Sequence, residues 1–88
     1  MKIKDGFILR DIAGTTYVVA VGARSKSFKG MVTLNETGKF IWQILEKGAT
    51  RDEITSKLLS EFEGADRATV ENDVDNFISK LERDDILE

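Results

Sequence analysis

The chain has 88 residues, of which 41% are hydrophobic and 33% charged, and its net charge is −3. These values are typical of one small globular domain, which we assign to residues 1–88. The absence of His and Cys from the sequence excludes disulfides, thiolate chemistry and any nucleophile that needs a histidine base. Residues 1–5 contain no apolar signal region, and no apolar run approaches the roughly 18 residues that span a bilayer, so we expect a cytoplasmic protein that does not enter membranes.

The first part of the chain predicts β-structure. Residues 7–12 alternate loosely between apolar and polar side chains, and residues 16–21 are rich in β-branched side chains. A short turn containing Gly14 joins them, which is typical of a hairpin. Residues 22–30 are polar and basic and predict a loop, after which residues 31–34 predict a third strand.

The second part predicts three helices, because each helical stripe of apolar side chains follows a good N-cap. Asn35 precedes the first stripe, and Gly48 is a natural stop after it. Thr50 and Glu53 have the spacing of a capping box at the start of the second helix. Asp66 is the predicted cap of the third.

The predicted architecture is therefore α+β. It has a three-stranded antiparallel sheet followed by three α-helices, and we interpret it as a winged helix-turn-helix. The apolar pair Ile86 and Leu87 ends the chain, and the sequence leaves open whether it returns to the core or to the sheet.

No candidate catalytic or metal site emerges from the acidic residues. Asp73 and Asp75 are two residues apart and point to different sides of a helix, so they cannot converge as an acid/base pair. A calcium loop starting at Asp73 would need Gly at its sixth position and Glu at its twelfth, which is Asp84. We therefore predict a protein that is not an enzyme and has no catalytic residues, no metal and no cofactor.

The charge is unevenly distributed along the chain. Residues 1–30 carry six Lys or Arg against two Asp, whereas residues 66–88 carry three Lys or Arg against eight Asp or Glu. In a helix-turn-helix the second helix of the pair enters the major groove, and here that helix is the acidic third one. DNA phosphates would repel it, so a DNA-binding regulator remains only an alternative and we expect no nucleic-acid partner.

A larger set of residues resembles the PqqD family, the stand-alone recognition elements for ribosomally made precursor peptides. The residues that carry the resemblance are Leu34-Asn35-Glu36-Thr37-Gly38, Ile41-Trp42, Gly48, Thr50, Glu53-Ile54, Leu58, Asp73-Val74, Phe77-Ile78 and Leu81. The similar region covers about residues 7–88. One departure is Asp85, because the family often has a glycine before its last apolar pair.

The resemblance implies a peptide-binding adaptor without catalytic activity. Such proteins bind the leader segment of a precursor peptide as an additional strand and present it to a modifying enzyme, commonly a radical SAM enzyme. An exposed edge on the third strand meets the requirement for strand addition independently. The oligomeric state stays open, with a homodimer formed by exchange of a strand edge or hairpin as one outcome.

The predicted peptide-binding residues lie on the third strand and on one flank of the third helix. On the strand they are Gly30, Met31, Val32 and Thr33, and on the helix they are Asp73, Phe77, Lys80, Leu81 and Asp84. Core packing is the alternative role of Phe77 and Leu81. Lys80 would pair with a carboxylate of the peptide or with Asp84, four residues further on.

Overall fold

The computed structural model describes residues 1–28 and 32–88. The predicted Gly30 and Met31 contacts lie outside these residues. The described elements are, in chain order, β1 (Phe7–Ile12), β2 (Thr15–Ala20), α1 (Arg24–Ser27), β3 (Val32–Leu34), α2 (Glu36–Lys47), α3 (Arg51–Glu61) and α4 (Arg67–Arg83). None of the helices in the described ranges is long and apolar enough to cross a membrane.

The three strands form one antiparallel sheet in the order β1-β2-β3, which confirms the predicted sheet. Strand β2 begins and ends one residue earlier than predicted, because Ile12 pairs with Thr15 and leaves a two-residue turn. Both turn residues, Ala13 and Gly14, have positive φ, the signature of the type I′ turn that matches the twist of a hairpin.

Residues 22–30 were predicted to be a loop, but the structure has one helical turn, α1, within them. Its N-cap residue, Ala23, makes no side-chain cap. The Ser25 hydroxyl donates to the Gly22 carbonyl, and the backbone amides of Ser25 and Lys26 close tight turns. The segment has neither the capping side chain nor the apolar stripe by which a helix is predicted.

The caps of the three longer helices are confirmed. The Asn35 side chain accepts a hydrogen bond from the Gly38 amide, and Asp66 accepts one from Thr69. Thr50 and Glu53 form both bonds of the capping box. Helix α3 ends at Glu61, which is earlier than the predicted stop at Gly64.

The core lies between the sheet and the helices. Its fully buried side chains include Val18 from the sheet, Trp42 from α2, Ile54 from α3 and Ile78 from α4. The ring of Phe7 meets the Trp42 indole edge-to-face, with centroids 6.5 Å apart, and so joins β1 to α2. This contact packs α2 against the sheet.

The end of the chain returns to the core, and it pairs with the start of the chain rather than with the sheet. Ile86 is fully buried, and Leu87 forms an antiparallel bridge with Ile3. The turn that starts this return is at Asp85, whose φ of 58° is left-handed. The amide of Asp85 donates to the Glu82 carbonyl and that of Ile86 to the Leu81 carbonyl, which together form a Schellman motif. Asp85 thus occupies the position at which helices usually place glycine.

Candidate functional site

A groove of about 310 Å³ lies between the first turns of α2 and the middle of α4. Its lining residues are Asn35, Thr37, Gly38, Ile41, Asp73, Asn76, Phe77 and Lys80. The four α4 residues have spacings of three, one and three, so they share one flank of the helix. Polar and charged groups border the groove, and Phe77 and Ile41 supply its apolar surface.

Gly38 sets how closely α4 approaches α2. A Cβ atom at this position would lie 3.2 Å from Cε1 of Phe77 and 3.2 Å from the Asn35 side-chain oxygen, both tighter than ordinary contact. That oxygen is the helix cap and lies 2.8 Å from the Gly38 amide nitrogen. Glycine therefore lets the Phe77 ring pack directly on the capped first turn of α2.

Strand β3 lies at one edge of the sheet, since β2 is the only described strand that pairs with it. Val32 pairs with the fully buried Val18, and Thr33 pairs with Tyr17. Because side chains alternate between the faces of a sheet, Val32 points to the helical side and Thr33 to the opposite face. The described edge of β3 thus leads directly into Asn35 and the groove.

Of the nine predicted residues, three line this groove and two lie on the adjacent edge strand. Asp73, Phe77 and Lys80 line the groove, with Phe77 half-buried and the two charged residues exposed. Val32 and Thr33 lie on the adjacent edge strand. No ion pair joins Lys80 to Asp84 among the described residues, so that alternative partner of Lys80 is not used here.

Two of the predicted helix residues lie elsewhere. Leu81 is 0% exposed, and its carbonyl accepts the Schellman hydrogen bond from Ile86, so it has a core position rather than a groove position. Asp84 borders a second, smaller depression of about 80 Å³ together with Phe7, Arg24, Phe28 and Asp85. Asp84 follows Arg83, the last residue of α4, and lies about one turn beyond Lys80, past the end of the groove.

Five groove residues were not predicted, namely Asn35, Thr37, Gly38, Ile41 and Asn76. Asn76 could have been predicted from the sequence, because its helical spacing puts it on the same flank as Asp73, Phe77 and Lys80. Asn35 was interpreted as a helix cap, and Gly38 was named among the residues that carry the family resemblance. Their place in the groove depends on how α2 packs against α4, which the periodicity of either helix does not show.

The types of side chain in the groove indicate what it can contact. Residues 1–28 and 32–88 contain no cluster of three or more His, Cys, Asp or Glu side chains that could hold a metal ion. The groove offers one aromatic ring and isolated charges, and the edge of β3 lies beside it, an arrangement that suits an extended peptide.

The sequence model of the family described as coenzyme PQQ synthesis protein D (PqqD) matches residues 7–87. The chain belongs to the PqqD family. No curated protein sequence gives a match.

Two solved structures share the fold of this PqqD-family chain. TbiB1, in complex with the TbiA(beta) leader peptide, is 28% identical with a TM-score of 0.76, covering 100% of this chain and 95% of TbiB1. Lasso peptide synthetase B1, complexed with the leader peptide, is 19% identical with a TM-score of 0.74, covering 97% and 93% of the two chains. The PqqD-family fold thus extends over the whole sheet and all the longer helices.

Proposed function

We propose that this PqqD-family chain binds the leader segment of a ribosomally made precursor peptide and presents it to a modifying enzyme. The leader adds as a fourth strand along the free edge of β3, and its inward side chains enter the groove beside α4. The observation that carries the proposal is the position of this groove next to an edge strand in a member of the family. The leader-peptide complex of TbiB1, a protein 28% identical to this chain, supports it.

The length of the β3 edge limits how much of the binding free energy can come from main-chain hydrogen bonds. The described part of β3 has three residues, so strand addition supplies only a few main-chain hydrogen bonds of about 1 kcal/mol each. A buried apolar side chain of the leader adds about 1.5–3 kcal/mol. Ordering a flexible leader removes several kcal/mol, so groove contacts are needed for useful affinity.

The role that we propose is that of a non-catalytic adaptor formed by one domain, residues 1–88. Its enzyme partner is a radical SAM enzyme or another peptide-modifying enzyme, and a homodimer is compatible with the outer edges of β1 and β3, which no other described strand covers. We interpret α3 and α4 as the helix pair of a winged helix-turn-helix, with the β1–β2 hairpin as the wing. Helix α4 has exposed acidic residues on more than one side, Asp73, Asp75 and Glu82, which disfavours a DNA-binding role for that pair.

The test is a titration of the isotopically labelled chain with leader segments of short reading frames next to its gene. We expect NMR shifts at residues 29–35, at Gly38 and at residues 73–80. A leader N-methylated at alternate residues gives the second readout. Methylation at residues whose amides face β3 abolishes binding, whereas methylation at the intervening residues leaves it intact.

A peptide of the same composition in scrambled order is the control. Shifts spread over the whole surface, or equal tolerance of N-methylation at every position, would contradict strand addition. Failure of every neighbouring leader to bind would overturn the adaptor role itself.

A further inference from the structure

The charges of α4 are divided between its two flanks. On the flank toward α3, the Arg51 guanidinium forms ion pairs with two carboxylates. Its nitrogens lie 2.6 Å from Oδ1 of Asp75 and 3.8 Å from Oε1 of Glu82. On the groove flank, Asp73 and Lys80 form no ion pair and no side-chain hydrogen bond with any residue in the described ranges. The paired charges join α3 to α4, whereas the groove charges have no such structural role.

Asp73 and Lys80 stand at the two ends of the groove wall. They are seven positions apart, which is two helical turns or about 10.5 Å along the axis. Phe77 lies between them on the same flank, and its ring packs toward Gly38. The wall therefore presents a carboxylate, an aromatic ring and an ammonium group in that order.

An extended peptide beside this wall would face it with every second side chain. Alternate residues of a strand are about 6.8 Å apart, so three successive inward side chains span about 14 Å. The long side chain of Lys80 covers the small difference from the helical spacing. Three inward positions of one peptide can thus meet Asp73, Phe77 and Lys80 together.

The order of these positions follows from the direction of α4. Phe77 lies next to Gly38, beyond the C-terminal end of β3, whereas Asp84 borders a depression with Phe7, which pairs with Ala20 at the end of the sheet where β3 begins. Between these points α4 runs opposite to β3. A peptide in the more stable antiparallel pairing with β3 therefore runs in the same direction as α4.

We infer that Asp73, Phe77 and Lys80 select leaders with a basic, an apolar and an acidic residue at alternate positions, in that order from the N-terminus. This inference rests on the proposed function and specifies its substrate. Exposed charge pairs contribute little affinity, but a like charge at either position is penalised. Asp73 and Lys80 therefore contribute more to the specificity for a leader than to the affinity for it.

Charge reversal on both partners tests the inference. The probe is the neighbouring leader that binds in the titration above, with each residue replaced in turn by Lys and by Glu, and Kd is measured by fluorescence anisotropy. We expect Lys80→Glu to weaken the unmodified leader about fivefold, and a Lys in place of the leader's acidic residue to restore binding. Asp73→Lys behaves in the same way with the leader's basic residue.

Matched controls carry the same change of net charge away from the groove. Lys57→Glu lies on α3 and Glu71→Lys near the start of α4, and both should leave Kd within about twofold. Fluorescence of the buried Trp42 confirms that each variant is folded. A leader that binds by strand addition but responds equally to all four variants overturns the charge selection and leaves the proposed function intact. The charge selection is also overturned if the leader positions that compensate the two variants have the acidic residue nearer the N-terminus than the basic residue.

Discussion

The β1–β2 hairpin turns through Ala13, whose φ of 51° is left-handed. An ordinary L-residue loses about 1–2 kcal/mol in that conformation, whereas Asn tolerates it and is favoured in type I′ turns. We therefore predict that Ala13→Asn stabilises the protein by about 1 kcal/mol, which raises Tm by about 4–8 °C in a domain of this size. Urea unfolding followed by Trp42 fluorescence measures the change.

The control for this substitution is Ala68, which is exposed and lies in the first turn of α4. Ala68→Asn places the same side chain on helical backbone and should leave stability equal or slightly lower. Stabilisation of similar size at both positions would show that the gain at Ala13 is unrelated to its backbone conformation.

Gly38 carries a prediction about binding. Ala is the better helix former by about 1 kcal/mol, but its Cβ would press on Cε1 of Phe77, now 3.2 Å from that position. We expect the two effects on the free energy of unfolding to cancel to within about 1 kcal/mol, while the displaced ring narrows the groove and weakens peptide binding several-fold. Thermal unfolding and a peptide titration measure the two quantities.

Ser56→Ala on the exposed face of α3 changes helix propensity in the same direction without contacting the groove. Its Kd for the same peptide should match that of the unmodified chain. If Gly38→Ala also binds normally, the packing of Phe77 against α2 does not control the shape of the groove.

At the scale of elements, the sequence predicts most where one side chain signals a boundary. Asn35, Thr50 and Asp66 each start a helix at the expected residue, because a capping side chain satisfies a specific backbone amide. Ile3 was not predicted to be part of the core, since an isolated apolar residue has no periodicity and its burial depends on Leu87 arriving from the other end of the chain. The groove was predicted on α4, where spacing defines a flank, and not on α2, where tertiary packing does.

At the end of α4, Asp85 occupies a helix position where glycine is usual. Its left-handed backbone favours Gly, and Asp is among the few other residues that tolerate it. Asp85 also forms an ion pair with Lys4, whose Nζ lies 2.6 Å from Oδ1 of Asp85, and Gly has no side chain to form it. We predict that Asp85→Gly leaves Tm equal or slightly higher, whereas Asp85→Ala lowers it by several degrees. Differential scanning calorimetry of the two variants gives the order, and equal losses in both would mean that the ion pair and not the backbone is responsible.

At the scale of the whole molecule, ion pairs of carboxylates with lysines join segments that are distant in sequence. Asp85 binds Lys4 across 81 positions, and Asp11 binds Lys39 across 28. Lys4 lowers the pKa of Asp85, and the Thr16 hydroxyl and then Lys39 lower the pKa of Asp11. The backbone amide and then the hydroxyl of Thr50 lower the pKa of Glu53 within the α3 capping box.

A carboxylate with a lowered pKa binds fewer protons in the folded chain than in the unfolded chain, so its contribution is complete above the unfolded pKa and is lost as pH falls through the folded one. We therefore expect Tm to be nearly constant around neutral pH and to fall below about pH 4.

Lys4→Met removes the partner of Asp85, so this variant should melt at a lower temperature than the unmodified chain at neutral pH. The difference should shrink toward zero as Asp85 becomes protonated, since the ion pair is then absent from both proteins. Lys2→Met removes a charge from the same segment without touching Asp85, and its difference from the unmodified chain should stay constant with pH. A constant difference for Lys4→Met as well would show that Lys4 acts through packing and not through the charge of Asp85.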